Sequence, residues 1–273
     1  MIVVSVCSLK GGVGKTSVVL GLASAAQARG LATLVVDLDP QADATLALDV
    51  PPDDESPATV AAMLGTGRRP SGRDGFTRSG WVSPGGSPLD LLVGSAEVAD
   101  LERPGSSPRA VERLTRRLSG LIDEISDDYR LVLLDCPPSL GALTLAGLSA
   151  SHRAIVVTEP ALFSVSAADR ALRAIDDLKR TTAPGLQPLG VLVNRYRDRS
   201  PEHRYRLAEL GEMFGPLMLS PAIPERSALQ QSQGASQPVH RWPGTAAQEL
   251  AEAFDGHLAR IMRVASRGLR RRP

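Results

Sequence analysis

Lys10-Gly11-Gly12-Val13-Gly14-Lys15-Thr16 sets two lysines five positions apart, with three glycines between them and a hydroxyl after them. Glycines let backbone N–H groups come close to a phosphate chain, and a helix opening behind such a loop adds its positive partial charge. In this reading Lys15 reaches the β- and γ-phosphates and the Thr16 hydroxyl holds Mg²⁺, with Ser17 extending the cradle. The strict G-x-x-x-x-G-K-[ST] spacing is not met, because its first glycine position is Leu9. A glycine-rich turn that binds nothing is the bland alternative. It leaves the lysines unexplained, for only three exist, Lys10, Lys15 and Lys179, against 28 arginines.

Two further segments carry carboxylates where apolar runs end. Leu34-Val35-Val36-Asp37-Leu38-Asp39-Pro40-Gln41 offers two, and Leu131-Val132-Leu133-Leu134-Asp135-Cys136-Pro137-Pro138-Ser139 offers one. A carboxylate beside a metal-bound phosphate can orient an attacking water. The simpler reading of Asp37 and Asp39 is a turn cap before Pro40.

These three segments together resemble the deviant Walker A ATPases, the family of ParA, MinD and their relatives, and the likeness runs over nearly the whole chain. It implies a Mg²⁺-dependent ATPase with ATP as substrate, slow and stimulated by a partner. Lys10 matches the family's signature lysine, which reaches across a nucleotide-sandwich homodimer to the phosphates of the other subunit. Lys10, Lys15 and Asp39 are then the catalytic residues, with Asp39 positioning the attacking water. Thr16, Asp37 and Asp135 are the metal-site residues, and residues 10–17 bind the nucleotide. Asn194, at the end of Val191-Leu192-Val193, matches a position that relatives set against adenine, and Pro224-Glu225 matches a loop whose backbone reads the same base. Ala42-Asp43 departs from the Gly-Asn that many ParA proteins carry there.

Elements must bring these segments together. Apolar runs at Ile2–Cys7, Ala32–Asp37, Leu89–Val93, Leu131–Asp135, Ala154–Thr158, Leu189–Asn194 and Leu217–Leu219 read as buried strands. Helical patterns lie between most of them, at Lys15–Arg29, Pro108–Ser126, Ser164–Arg180 and Pro201–Phe214. The alternation predicts one α/β domain, a mostly parallel P-loop NTPase sheet of about seven to eight strands with helices on both faces. The domain spans residues 1–265, and 266–273 form a basic tail. A last helix, Thr245–Val264, puts Leu250, Phe254, Leu258, Ile261 and Ala265 on one stripe. Gly65–Pro88 holds seven glycines, three prolines and four arginines in 24 residues and is expected to be a mobile surface loop.

Composition narrows the class. The chain has 273 residues, 42% of them hydrophobic, and no apolar run near the ~18 residues of a membrane span. The N-terminus reads as a first strand and not as a signal peptide. Two cysteines, Cys7 and Cys136, make neither a disulfide framework nor a four-cysteine metal site, and point to a cytoplasmic home. Net charge is +1, which hides an acidic front (−4 over residues 1–100) and a basic back (+5 over residues 195–273). Arg195, Arg197, Arg199, Arg204, Arg206 and Arg226 fall in that basic part.

Arginines facing phosphates give salt-dependent, sequence-independent binding. ParA-like proteins bind DNA non-specifically through basic residues of their C-terminal part, so these six are the expected DNA-binding residues of a nucleoid-associated protein with a ParB-like or other adaptor as partner. A solvated helix face paired with nearby carboxylates is the competing reading. Two other functions stay open. One is a MinD-like positioning ATPase that uses a basic amphipathic end on a membrane. The other is a P-loop ligase of the biotin-synthesis type, which gives Lys10 no role in a partner subunit.

Overall fold

Among the described residues seven of the eight strands run parallel, and this makes the apolar runs legible, since a parallel sheet is buried on both faces. The computed structural model describes residues 1–50, 58–66, 75–81, 87–102 and 107–269. In chain order the elements are β1 (Ile2–Cys7), α1 (Lys15–Ala28), β2 (Thr33–Asp37), α2 (Asp43–Ala47), α3 (Val60–Thr66), β3 (Thr77–Arg78), β4 (Leu89–Leu92) and α4 (Pro108–Glu124). There follow β5 (Leu131–Asp135), α5 (Ala142–Ser149), β6 (Arg153–Thr158), α6 (Leu162–Thr181), β7 (Gln187–Val193), α7 (Pro201–Phe214), β8 (Met218–Leu219), α8 (Ser227–Gly234) and α9 (Thr245–Leu269). The sheet order is β3-β4-β2-β5-β1-β6-β7-β8, with only β3 antiparallel. The chain winds from β1 to β2 on one side and later to β6, β7 and β8 on the other. The carboxyl ends of the central strands therefore meet at a switch point, where open α/β sheets bind ligands.

Alternation along the strands builds two cores. Val3, Leu34, Val36, Val132 and Leu134 point to the face shared with α4, α5 and α6. Ile2, Val4, Val6, Val35, Leu131 and Leu133 point to the face shared with α1 and α9. Burying each such side chain is worth about 1.5–3 kcal/mol. Two helices start on Ser-Pro. Ser107 Oγ accepts from the Ala110 N–H and Ser200 Oγ from the His203 N–H, each with proline just inside the helix.

All seven expected strands are present, and Leu131–Asp135 matches to the residue. Of the expected loop Gly65–Pro88, the described part departs from expectation. Thr77 and Arg78 pair with Leu91 and Asp90. Phe76 and Trp81 are buried, Phe76 meeting the Tyr129 ring edge-on at 6.1 Å and Trp81 Nε1 donating to the Ala47 carbonyl at 2.9 Å. Aromatic burial outweighs the glycine content there. Residues 67–74 and 82–86 lie outside the described residues.

The expected stripe on the last helix faces the core, with Leu250, Phe254, Leu258 and Ile261 fully buried. Helix α9 continues past the expected boundary at 265 to Leu269, and residues 270–273 lie outside the described part. Among the described residues no helix is long and apolar enough to cross a membrane.

Candidate active site

The loop between β1 and α1 has the conformation its glycines allow. Gly12 and Gly14 sit at φ +80° and +85°, and Gly14 is the N-cap of α1 with no side-chain cap, so the helix N-terminus stays open to a ligand. A side chain at Gly14 has no room, since a Cβ there lies 2.2 Å from Asn194 Nδ2. Lys15, on the first turn, is only 6% exposed.

Strand register sets the carboxylates. Asp37 ends β2, Asp135 ends β5, and the two are paired in the sheet. Thr16 Oγ1 donates to Asp135 Oδ2 at 2.7 Å, while Asp135 Oδ1 is buried with no hydrogen-bond partner. Among the described residues no group of three His, Cys, Asp or Glu forms a metal cage. A hydroxyl and one orphaned carboxylate oxygen suit a hard cation that keeps most of its waters, as Mg²⁺ does. Asp37, the third residue expected at the metal site, has both carboxylate oxygens engaged in hydrogen bonds. Its Oδ2 accepts from the Thr45 N–H (2.9 Å) and Oγ1 (2.8 Å), and its Oδ1 from the Asp39 N–H (3.2 Å). It serves as an anchor for the next turn. Asp39 is 8% exposed, and its Oδ1 accepts from the Gln41 N–H at 3.1 Å.

Burial, and then the charge of Asp37, push the Asp135 carboxyl up to about 8, against the Thr16 hydrogen bond and the Lys15 charge. Burial likewise raises Asp37 to about 6. An unfolded aspartate titrates near ~4. Between these values the folded chain keeps a proton at Asp135 that the unfolded chain has lost. The stability that this proton contributes is therefore present at low pH and is lost as pH rises through the window. The melting temperature of the metal- and nucleotide-free protein is expected to drop by several degrees between about pH 5 and about pH 8. Asp135→Asn should flatten that slope in a thermal-shift series with EDTA, and an unaltered slope would discount Asp135 as its source.

Lys10 stands apart from Lys15. Its Nζ contacts the Glu159 carboxylate and donates to Ser164 Oγ at 3.1 Å, and its side chain is 35% exposed. Glu159 and Ser164 follow β6, the strand beside β1. Sequence reading passed over both. The available signal was an acid just past the carboxyl end of a central strand.

The segments expected at the base also meet. Asn194 Nδ2 donates to the Val13 carbonyl at 2.8 Å, and Asn194 is 2% exposed, so its side chain braces the phosphate loop. Tyr196 bridges to Pro224, with the Glu225 N–H donating to the Tyr196 carbonyl at 2.8 Å. Ser17 Oγ donates to Gln233 Oε1 at 3.3 Å. The arginines are less free than their count suggests. Arg197 pairs with Glu225 and holds that carboxyl below the usual range. Arg206 pairs with Glu202 and Glu209, and Arg226 reaches both oxygens of Glu249 at 2.8 and 2.9 Å. Arg204 donates to the Asp198 carbonyl. Half of the six are thus ion-paired, as the competing reading expects.

A family model described as an AAA domain matches residues 1–188. Chromosome partitioning protein ParA of Caulobacter vibrioides is 25% identical over 238 residues, covering 87% of this chain and 85% of that protein. Cobyrinic acid a,c-diamide synthase of Mycobacterium smegmatis, solved with bound ADP and magnesium, is 29% identical with a TM-score of 0.76, covering 98% of this chain and 96% of that one. The septum site-determining protein MinD of Pyrococcus horikoshii, complexed with Mg-ADP, superposes with a TM-score of 0.72 at 22% identity over 97% of both chains. With this match over the first two-thirds of its length and the phosphate loop and carboxylates that fold supports, the chain belongs to the ParA/MinD family of P-loop ATPases.

Proposed function

We propose that this chain is a Mg²⁺-dependent ATPase that closes into a homodimer on ATP, binds DNA without sequence preference in that state, and hydrolyses ATP to segregate or position DNA or another cargo. One observation carries the reading. The Lys15 side chain is buried in the loop, while the Lys10 side chain is turned to Glu159 and Ser164 and is 35% exposed. A second cation beside the site, unused by its own loop, is suited to phosphates on another subunit. Such a cation stabilises charge developing in the transition state, and it arrives only on dimerisation.

In this scheme the backbone N–H groups of residues 10–17 and Lys15 bind the phosphates. Thr16 and Asp135 hold Mg²⁺, with Asp37 behind them, and the ion neutralises charge on the phosphate oxygens when bound. Asp39 orients the attacking water. Asn194, Pro224 and Glu225 lie on the base side. Leaving Glu159 and Ser164 frees Lys10 to cross to the partner. A ParB-like or other adaptor would stimulate turnover, with the ATP-bound dimer on the nucleoid in the cytoplasm. The membrane alternative has less support, because the apolar stripe of α9 is buried.

With three of the six arginines paired to carboxylates, the DNA contact falls chiefly to Arg195, Arg199 and Arg204. Gel shifts with ATP across a salt series should show affinity falling with salt. Arg195→Glu with Arg199→Glu is expected to weaken binding at least tenfold and flatten the salt slope. If neither changes, these arginines do not form a DNA face.

Similarity to cobyrinic acid a,c-diamide synthase over 98% of the chain favours a second reading, an ATP-dependent amide ligase. ATP turnover by a monomer that requires a carboxylate acceptor and survives Lys10→Ala would establish it instead.

A further inference from the structure

Thr45 has no place in the machinery above, yet it is bonded to it on three sides. Its N–H and its hydroxyl both donate to Asp37 Oδ2, at 2.9 and 2.8 Å. The same hydroxyl accepts from the Gly94 N–H at 2.9 Å, at the carboxyl end of β4. The other oxygen of Asp37 accepts the Asp39 N–H. One carboxylate therefore holds the turn from β2 to α2 at two places, at Asp39 itself and at Thr45 on α2. The turn carries local strain, with Ala42 at φ +55° at the N-cap of α2, so it needs an outside hold to keep one geometry. Little slack surrounds it. A Cβ on Gly94 would lie 2.7 Å from Asp37 Cγ and 2.9 Å from the Asp37 carbonyl oxygen.

The geometry points to Thr45 as a positioning residue for ATP hydrolysis, whose hydroxyl, clamped between Asp37 and the Gly94 N–H, fixes the turn that aims Asp39. The inference rests on the reading of Asp39 as the water-orienting group. Removing the hydroxyl deprives Asp37 of one donor and leaves the Gly94 N–H without its acceptor. The turn then samples other arrangements, and only a fraction of bound ATP meets a correctly placed carboxylate. A displacement near 1 Å is enough to cost a large factor in rate. Thr45 touches no residue of the phosphate loop in these bonds, so ATP binding should be spared.

The test compares Thr45→Val, which keeps the shape, with Thr45→Ser, which keeps the hydroxyl. Thr45→Val is expected to lower kcat at least tenfold while the Kd for a fluorescent ATP analogue stays within twofold. Thr45→Ser should recover kcat to within about threefold. In the Asp39→Ala background, Thr45→Val should lower kcat no further, because its effect passes through Asp39. Should Thr45→Val fail to fold by circular dichroism, Gly94→Ala displaces Asp37 from the opposite side, and the same loss of kcat with retained binding is expected. Unchanged kcat in the folded variant, equal losses in kcat and affinity, or additivity with Asp39→Ala would overturn the proposal. Full hydrolysis by Asp39→Ala would overturn the Asp39 assignment and this inference with it, whereas full hydrolysis by Thr45→Val alone would overturn only the inference.

Discussion

Replacing Lys15 with alanine is expected to abolish ATP binding, lowering affinity roughly a hundredfold or more. The side chain is 6% exposed at the open N-terminus of α1, where its charge acts in low dielectric. A charge-assisted hydrogen bond alone is worth about 1.5–3 kcal/mol. The larger effect comes from what remains. The Lys15 charge pulls down the titration of Asp135, and of Cys7 and Cys136 nearby. Without it the phosphate chain would approach Asp37, Asp39 and Asp135 with no facing buried cation. Calorimetry or a fluorescent analogue measures the loss, with Lys179→Ala, on the last turn of α6, as a control that keeps full affinity. Binding within tenfold of the parent chain would mean that the loop amides alone hold the nucleotide.

The contrast between what was legible and what was not follows from range in sequence. The phosphate loop is local, so Lys15, Thr16 and the glycines can be read from seven adjacent residues. The central strands are apolar throughout because both faces are covered, and β5 is legible to the residue for that reason. Short elements are another matter. Helix α2 has five residues, too few for a 3.6-residue period to show, and α5 buries six of its eight residues, which erases the polar face.

Side-chain partners were the least accessible. Glu159 reaches Lys10 across 149 positions only because β6 lies beside β1. Sequence counts arginines but does not pair them. Arg226 meets Glu249 across 23 positions and Arg197 meets Glu225 across 28, so part of the basic cluster is paired with carboxylates on the surface. Asn194 shows the same limit. The strand end was identified, but the Val13 carbonyl that its amide supports could not be.

Asp39→Ala separates binding from turnover. The residue stands on the β2–α2 turn, bonded through Oδ1 to the Gln41 N–H and through its own N–H to Asp37. Neither bond involves the phosphate loop. Losing its charge removes a repulsion from bound phosphates, so ATP affinity should hold or tighten slightly. Turnover should fall by about 10²–10⁴, the range that a positioned base contributes. If ATP closes the dimer and hydrolysis reopens it, blocking the second step while sparing the first must shift the population to the closed form. Light scattering after size exclusion should then show a persistent dimer with ATP and Mg²⁺, and a monomer with ADP. Adding Lys10→Ala to Asp39→Ala tests the origin of that dimer, because a cation shared between subunits should be needed to hold it. A slow, ATP-loaded but monomeric Asp39→Ala protein would leave the carboxylate assignment standing and remove the dimer from the scheme. A dimer indifferent to Lys10 would keep the dimer and return Lys10 to its pairing with Glu159 within one chain.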